Sequence, residues 1–218
     1  MQGKVTVDGK MVTKAGTLVS EDAVIVCDIS EPPFVCRAGD KLEKALAQFN
    51  IDVLNKVVLD AGLSTGGFTD CLLQRGAKKV YGVDVGYGQV HEKIRRDKRV
   101  EVLERTNLRY LESLPEEVDL VTLDLSFISV LKVMPAVMKL MKDDAQLVVL
   151  IKPQFEAERK EVGKGGIIKD TKVHEKVVQH VKDGIEADGF ICKGVIDSPI
   201  LGSSGNKEFL AWFIRKKR

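Results

Sequence analysis

The stretch 57-VVLDAGLSTGGFTDCLLQRGA-77 decides the fold. Its first residues are apolar and β-branched, its middle is glycine-rich, and its end has helical spacing. A strand, a glycine turn and a helix in that order form the usual nucleotide-binding corner of an open α/β sheet. The spacing is not the dinucleotide GxGxxG but D-x-G-x-x-x-G-G, with Asp60 ahead of the first glycine. Gly62 would let the backbone turn tightly, and Gly66 and Gly67 would let a ligand approach closely. A carboxylate in that turn repels a pyrophosphate and suits a cation. A second acid, Asp84, ends the next apolar run about 20 residues on, where an acid commonly takes ribose hydroxyls. Asp60 and Asp84 together favour S-adenosylmethionine, a sulfonium without phosphates, over NAD.

Outward from that corner, apolar runs at 56–60, 79–84, 100–104, 118–124 and 145–151 alternate with helix-like segments near 67–76, 89–97 and 129–142. The rhythm predicts a Rossmann-like α/β fold, a mostly parallel sheet covered by helices on both faces. A long helix over 171–189, capped by Asp170 or Thr171, precedes strands near 190–197 and 208–215. The short link 202-GSSGN-206 cannot hold a helical crossover, so the last strand of a seven-stranded sheet should run antiparallel. Upstream, 40-DKLEKALAQF-49 reads as a helix capped by Asp40. Residues 3–28 read as short strands, with a hairpin turn at Asp8-Gly9 and a strand at 24-VIV-26. The expected division is a β-rich piece over 1–30, a linker and helix over 31–55, and the sheet domain over 56–218.

Composition bounds the function. The chain has 218 residues with 44% hydrophobic, 30% charged and a net charge of +2, the balance of an ordinary globular protein with no global attraction to nucleic acid. No apolar run approaches the roughly 18 residues of a membrane span. Four scattered cysteines without a CxxC pair argue against a zinc site and a disulfide scaffold, so no metal and a reducing, cytoplasmic compartment are expected.

Topology then gathers four charged residues at one sheet edge. Asp124 ends the fourth strand of the sheet, Lys152 ends the fifth, Glu208 begins the last, and Lys41 lies on the preceding helix. Two lysines and two carboxylates beside a cofactor cleft suit methyl transfer to a hydroxyl. A neutral lysine can remove the proton, the second lysine helps keep it neutral, and the carboxylates orient the lysines and offset the sulfonium charge. Taken singly, Asp124 also reads as a helix cap, Lys152 as a solvated loop residue and Glu208 as a partner of Lys207. Only their joint position carries the catalytic reading.

These segments resemble the TlyA-type (haemolysin A-like) ribosomal RNA 2′-O-methyltransferases, which have an FtsJ/RrmJ-like methyltransferase domain. The resemblance rests on 36-CRAGDKLEKAL-46, the STGGFTD turn, 80-VYGVDVGYGQV-90, 104-ERTNLR-109, 124-DLSFIS-129, 151-IKPQFE-156 and 201-LGSSGNKEFL-210. It implies a catalytic tetrad of Lys41, Asp124, Lys152 and Glu208. It also implies that Asp60, Gly62, Ser64, Gly66 and Asp84 line the cofactor, with Glu104 or Asn107 beside the adenosine and Asp124 at the sulfonium. The implied substrate is ribosomal RNA, at a cytidine in an assembled ribosomal subunit. The implied partner of residues 1–30 is RNA too, through the second half of an S-four-type RNA-binding domain. The family's run before the first helix is usually Ser-Arg-Gly-Gly, so Cys36 is not expected to be essential.

Basic residues cluster at 93–99, along the loop 156–170 that follows Lys152, and at 215-RKKR-218. Each is a candidate phosphate contact and equally a solvated surface. The loop, with three glycines, is the best candidate to order on RNA. Two other readings stand beside the enzyme: a membrane-active haemolysin, and an RNA-binding protein without methyltransferase activity.

Overall fold

The computed structural model describes residues 5–14, 16–27 and 32–216. The chain divides into two compact units between Pro33 and Phe34. In the first, β1 (Val5–Val7), β2 (Lys10–Met11) and β3 (Ile25–Cys27) form an antiparallel sheet in the order β2-β1-β3. Asp8 and Gly9 both take positive φ, 49° and 75°, which is the twist a two-residue hairpin needs. Asp8 Oδ1 accepts the Val24 amide at 2.9 Å, so the same residue ties β3 to the turn.

The second unit starts with α1 (Ala38–Phe49). A seven-stranded sheet follows, made of β4 (Val57–Ala61), β5 (Lys79–Val83), β6 (Val100–Leu103), β7 (Val118–Leu123), β8 (Met141–Ile151), β9 (Phe190–Asp197) and β10 (Phe209–Arg215). The order is β6-β5-β4-β7-β8-β10-β9, and β10 alone runs opposite to the other six strands. The helices between strands are α2 (Gly67–Gln74), α3 (Glu92–Arg96), α4 (Met134–Leu140), α5 (Pro153–Glu156) and α6 (Thr171–Ala187). The chain steps outward from β4 through β5 to β6, then returns to the other side of β4 as β7. That reversal leaves a crevice beyond the carboxyl ends of β4 and β7.

Strand pleating sorts the core into two layers. Val57, Leu59 and Ala61 face α4 and α6, with Val121 and Leu123 of β7 beside them. Val58 faces the opposite way, toward Leu42 and Leu46 of α1 and Leu72 of α2. In α6, Val177, Val181 and Ile185 repeat every four residues and are all buried, the stripe that a sheet-covering helix needs.

Several sequence expectations shift. Arg37, not Asp40, occupies the N-cap of α1, and Asp40 lies inside the first turn, where its charge still complements the helix dipole. Asp170 caps α6 by accepting the Lys172 amide at 2.9 Å. The helix expected over 129–142 is shorter, because the chain becomes strand at Met141, where Val118 pairs with it. Arg215 is not a free basic tail: its guanidinium donates to the carbonyls of Met138, Met141 and Lys142 and so closes the end of α4. Residues 28–31 and 217–218, which include parts of the expected linker and basic tail, lie outside the described residues.

Candidate active site

A cleft of about 490 Å³ opens at the β4/β7 reversal. Its walls come from four loops: the turn after β4, the 83–89 segment after β5, residues 106–109 after β6, and Asp124–Ile128 after β7. Gly62 has φ +90°, and a Cβ there would collide with the carbonyl oxygen of Asp124. Only glycine lets the turn pass the end of β7 so closely. Ser64 is also left-handed, at φ 48°, and its amide donates to Asp84 Oδ2 at 2.7 Å. The Gly86 amide donates to Asp84 Oδ1 at 2.7 Å. Asp84 thus pins two cleft walls together, and each of its oxygens keeps a further lone pair for a ligand.

Of the residues expected around a cofactor, Gly62, Ser64, Asp84, Asn107 and Asp124 line this cleft. Asp60, Gly66 and Glu104 do not. Asp60 lies on the Val58 face of β4, under α2, and is fully buried. Thr69 and Thr122 hydroxyls donate to its two oxygens at 2.6 and 2.9 Å, and burial pushes its carboxyl up to about 6. Gly66 serves helix packing, since a Cβ there would strike Ile94 of α3. Glu104 accepts the Gly88 amide at 2.7 Å and the Arg95 guanidinium at 3.0 Å, and the Arg95 bond holds its carboxyl below the usual range. It braces the loop behind the cleft. Thr106, Arg109, Ser126 and Phe127 line the cleft without having been singled out by sequence. Ser126 and Phe127 lie within the DLSFIS motif, which was the available signal.

Beside the cleft stand two ion pairs. Lys41 Nζ lies 2.6 Å from Glu208 Oε2, with side chains only 9% and 3% exposed. A Cβ on Gly202 would fall on Glu208 Oε1, so the bare glycine of the GSSGN link makes room for that carboxylate. Lys152 Nζ lies 2.6 Å from Asp124 Oδ1 and donates to Ser126 Oγ at 2.9 Å. The approach to Asp124 lacks hydrogen-bond alignment, which makes it a contact of charges while the directed bond goes to Ser126. Sheet register explains the gathering. Phe209 pairs with Ile151, so Glu208 and Lys152 lie opposite each other one step beyond. Ala61 pairs with Leu123, so Asp124 follows opposite Gly62. Each lysine sits on a carboxylate, the arrangement in which the carboxylates orient the lysines.

Phe127 is 91% exposed, takes a left-handed φ of 64°, and meets Phe155 of α5 in a tilted contact with ring centroids 5.0 Å apart. The 93–99 cluster is largely neutralised within its own neighbourhood: Lys93 pairs with Asp70, Arg95 with Glu104, Arg96 with Glu92 and Arg99 with Asp97. The 156–170 loop is tied down rather than free. Asn206 accepts the Ile168 amide at 3.0 Å and donates to the Gly166 carbonyl at 2.8 Å, and Lys176 pairs with Glu158 and Glu161. Arg159, Lys164 and Lys169 remain exposed on it without an ion pair among the described residues. No helix of the described residues is long and apolar enough to cross a membrane.

Comparison with known proteins gives a consistent result. Residues 34–215 match the family model described as FtsJ-like methyltransferase. The "16S/23S rRNA (cytidine-2'-O)-methyltransferase TlyA" of Mycobacterium tuberculosis is 46% identical over 213 residues, 96% of this chain and 80% of that protein. "Hemolysin A" of Brachyspira hyodysenteriae is 44% identical over 218 residues, 98% of this chain and 90% of that protein. A solved structure from Streptococcus thermophilus superposes with a TM-score of 0.86 at 41% identity, covering 98% of this chain and 79% of that one.

Proposed function

The chain belongs to the FtsJ-like methyltransferase family, and from that premise we propose that it methylates the 2′-hydroxyl of a ribose in ribosomal RNA, at a cytidine, with S-adenosylmethionine as donor. The observation that carries the reading is the pair of ion pairs, Lys41–Glu208 and Lys152–Asp124, brought to neighbouring strand ends by the sheet register, with Asp124 in the cleft wall. The cleft suits that donor. Its volume is that of a small-molecule site, two carboxylates wall it, and the bare backbone at Gly62 admits close approach. Bound there, S-adenosylmethionine supplies a methyl group on an electrophilic sulfonium. Asp84 would hold the ribose hydroxyls of the cofactor, and Asn107, on the same cleft wall, would lie by its base.

A ribose hydroxyl is a poor nucleophile until its proton leaves. Lys152 receives that proton at Nζ as the general base. Ser126 and Asp124 hold Nζ in place during the exchange. Lys41, kept charged by Glu208, faces the developing alkoxide with a fixed positive charge. Holding the oxygen in line with the methyl supplies much of the remaining rate. Phe127, exposed at the cleft mouth, offers a face on which an extruded base can stack. Arg159, Lys164 and Lys169 bind phosphates, as does the β-rich unit before Phe34, which acts as an RNA anchor. An enzyme working on ribosomal subunits works in the cytoplasm.

The test is transfer of labelled methyl from S-adenosylmethionine to isolated ribosomal subunits, with the modified position mapped on the RNA. Lys152→Ala is expected to abolish transfer and leave cofactor binding by calorimetry nearly intact. Wild-type protein that transfers no methyl to any subunit would sink the proposal. Red-cell lysis by the inactive Lys152→Ala protein would establish the haemolysin reading instead, and RNA binding without transfer would establish an RNA-binding protein.

A further inference from the structure

The loops after β7 and β8 emerge side by side, and they are joined at three successive places. Lys152 reaches Ser126 and Asp124, the Phe155 ring meets Phe127 in a tilted contact, and Glu156 Oε1 accepts the Val130 amide at 2.8 Å. Nothing in the catalytic reading uses Glu156. Its other oxygen, Oε2, is enclosed and makes no aligned hydrogen bond, and burial pushes its carboxyl up although the Ser129 hydroxyl and the Val130 amide oppose that shift. Both of those opposing groups belong to the end of the facing loop, so the contacts of this carboxylate converge on that loop.

The strain in the facing loop gives it a use. Phe127 holds a left-handed backbone, which an aromatic residue adopts only where its surroundings hold it there. That residue lies three positions after Asp124 and one after Ser126, the two groups that contact Lys152. If the loop relaxed at Phe127, both groups would move relative to Nζ. The loop is anchored at its start, where the Asp124 amide donates to the Ala61 carbonyl at 2.9 Å. At its far end the anchor is Glu156, which holds the first residue of the Val130–Lys132 turn.

We propose that Glu156 is a positioning residue for methyl transfer: by holding the Val130 amide it keeps the Asp124–Ser129 loop in the strained form that presents Asp124 and Ser126 to Lys152. The proposal rests on the reading of Lys152 as the group that takes the hydroxyl proton. Reach matters here and charge does not, which sets Glu156 apart from Asp124 and Glu208.

Three variants separate these roles. Glu156→Gln keeps an acceptor at the same distance and is expected to retain kcat within about threefold. Glu156→Met keeps the volume without the acceptor, and Glu156→Asp keeps the charge but falls one methylene short. Both are expected to lose kcat by ten- to a hundredfold, with KM for the subunit and affinity for S-adenosylmethionine within about threefold of wild type. Amide hydrogen exchange at Val130, measured without cofactor or RNA, should speed up in the Met and Asp proteins and stay slow in the Gln protein. Full activity in Glu156→Asp overturns the proposal, as does a Gln protein as slow as Met. Unchanged Val130 exchange in the Asp protein also overturns it, even if the Met protein fails to fold. These outcomes are read against an active wild type, so they are distinct from failure of the function itself.

Discussion

Removing Glu208 should expose how the buried Lys41 charge is carried. Lys41 is 7% exposed and its ammonium rests on the Glu208 carboxylate at 2.6 Å. At an effective dielectric of about 20 that attraction is worth roughly 6 kcal/mol, set against the desolvation of both charges. In Glu208→Leu the attraction vanishes and the burial remains. The expected loss is therefore about 3–5 kcal/mol, the usual result of breaking a buried pair, and a fall in Tm of roughly 6–20 °C for a chain of this size. Urea denaturation at pH 7 measures it. The double variant Lys41→Met/Glu208→Leu, which removes both charges, should recover most of the stability while transferring no methyl group. A single-variant loss below about 1 kcal/mol at pH 7, or a double variant no more stable than Glu208→Leu, would refute the picture of a dry, mutually dependent pair.

Asp60 makes a prediction that depends on pH. Its pKa is raised from 3.8 to about 6 in the folded chain, so the contribution of this group to stability is full below about pH 4 and is lost as pH rises through 6. The loss totals about 3 kcal/mol. The stability of Asp60→Asn relative to wild type should rise between pH 4 and 6 and then level off, and a constant difference across that range would contradict it. Gly62→Ala should abolish cofactor binding by calorimetry and destabilise the fold by more than about 2 kcal/mol, because both its φ of +90° and the Asp124 carbonyl forbid a Cβ. Phe127→Gly should leave stability unchanged or raise it by about 1 kcal/mol, since the strain goes with the ring. Phe127→Ala should lower kcat/KM for RNA roughly 5- to 30-fold through lost stacking, with cofactor affinity unaffected. Equal transfer by Phe127→Ala and wild type would remove the stacking role.

How far the sequence carried these conclusions can be read from single residues. Periodicity found every strand of the large sheet, because pleat and helix pitch are written in neighbouring residues. The link 202–206 was short enough to force the antiparallel turn into β10. The same local logic misread Asp60. An acid before a glycine turn looks like a ligand, but strand alternation places it with Val58 under α2, where Thr69 and Thr122 claim it. It misread Arg215, whose partners are carbonyls 73 to 77 residues away. It left the 93–99 cluster looking basic, when most of its carboxylate partners interleave with or lie near it in space.

By itself, then, the sequence determined the order of strands and helices, the glycine turn, and the arrival of Lys41, Asp124, Lys152 and Glu208 near one sheet edge. Tertiary structure alone decided who pairs with whom. Lys41 meets Glu208 across 167 residues, and Glu156 reaches Val130 across 26. Backbone preferences act over a few residues and leave their mark in the local pattern. A side-chain contact depends on the register and twist of every strand between its partners, and that sum exists only once the sheet has closed.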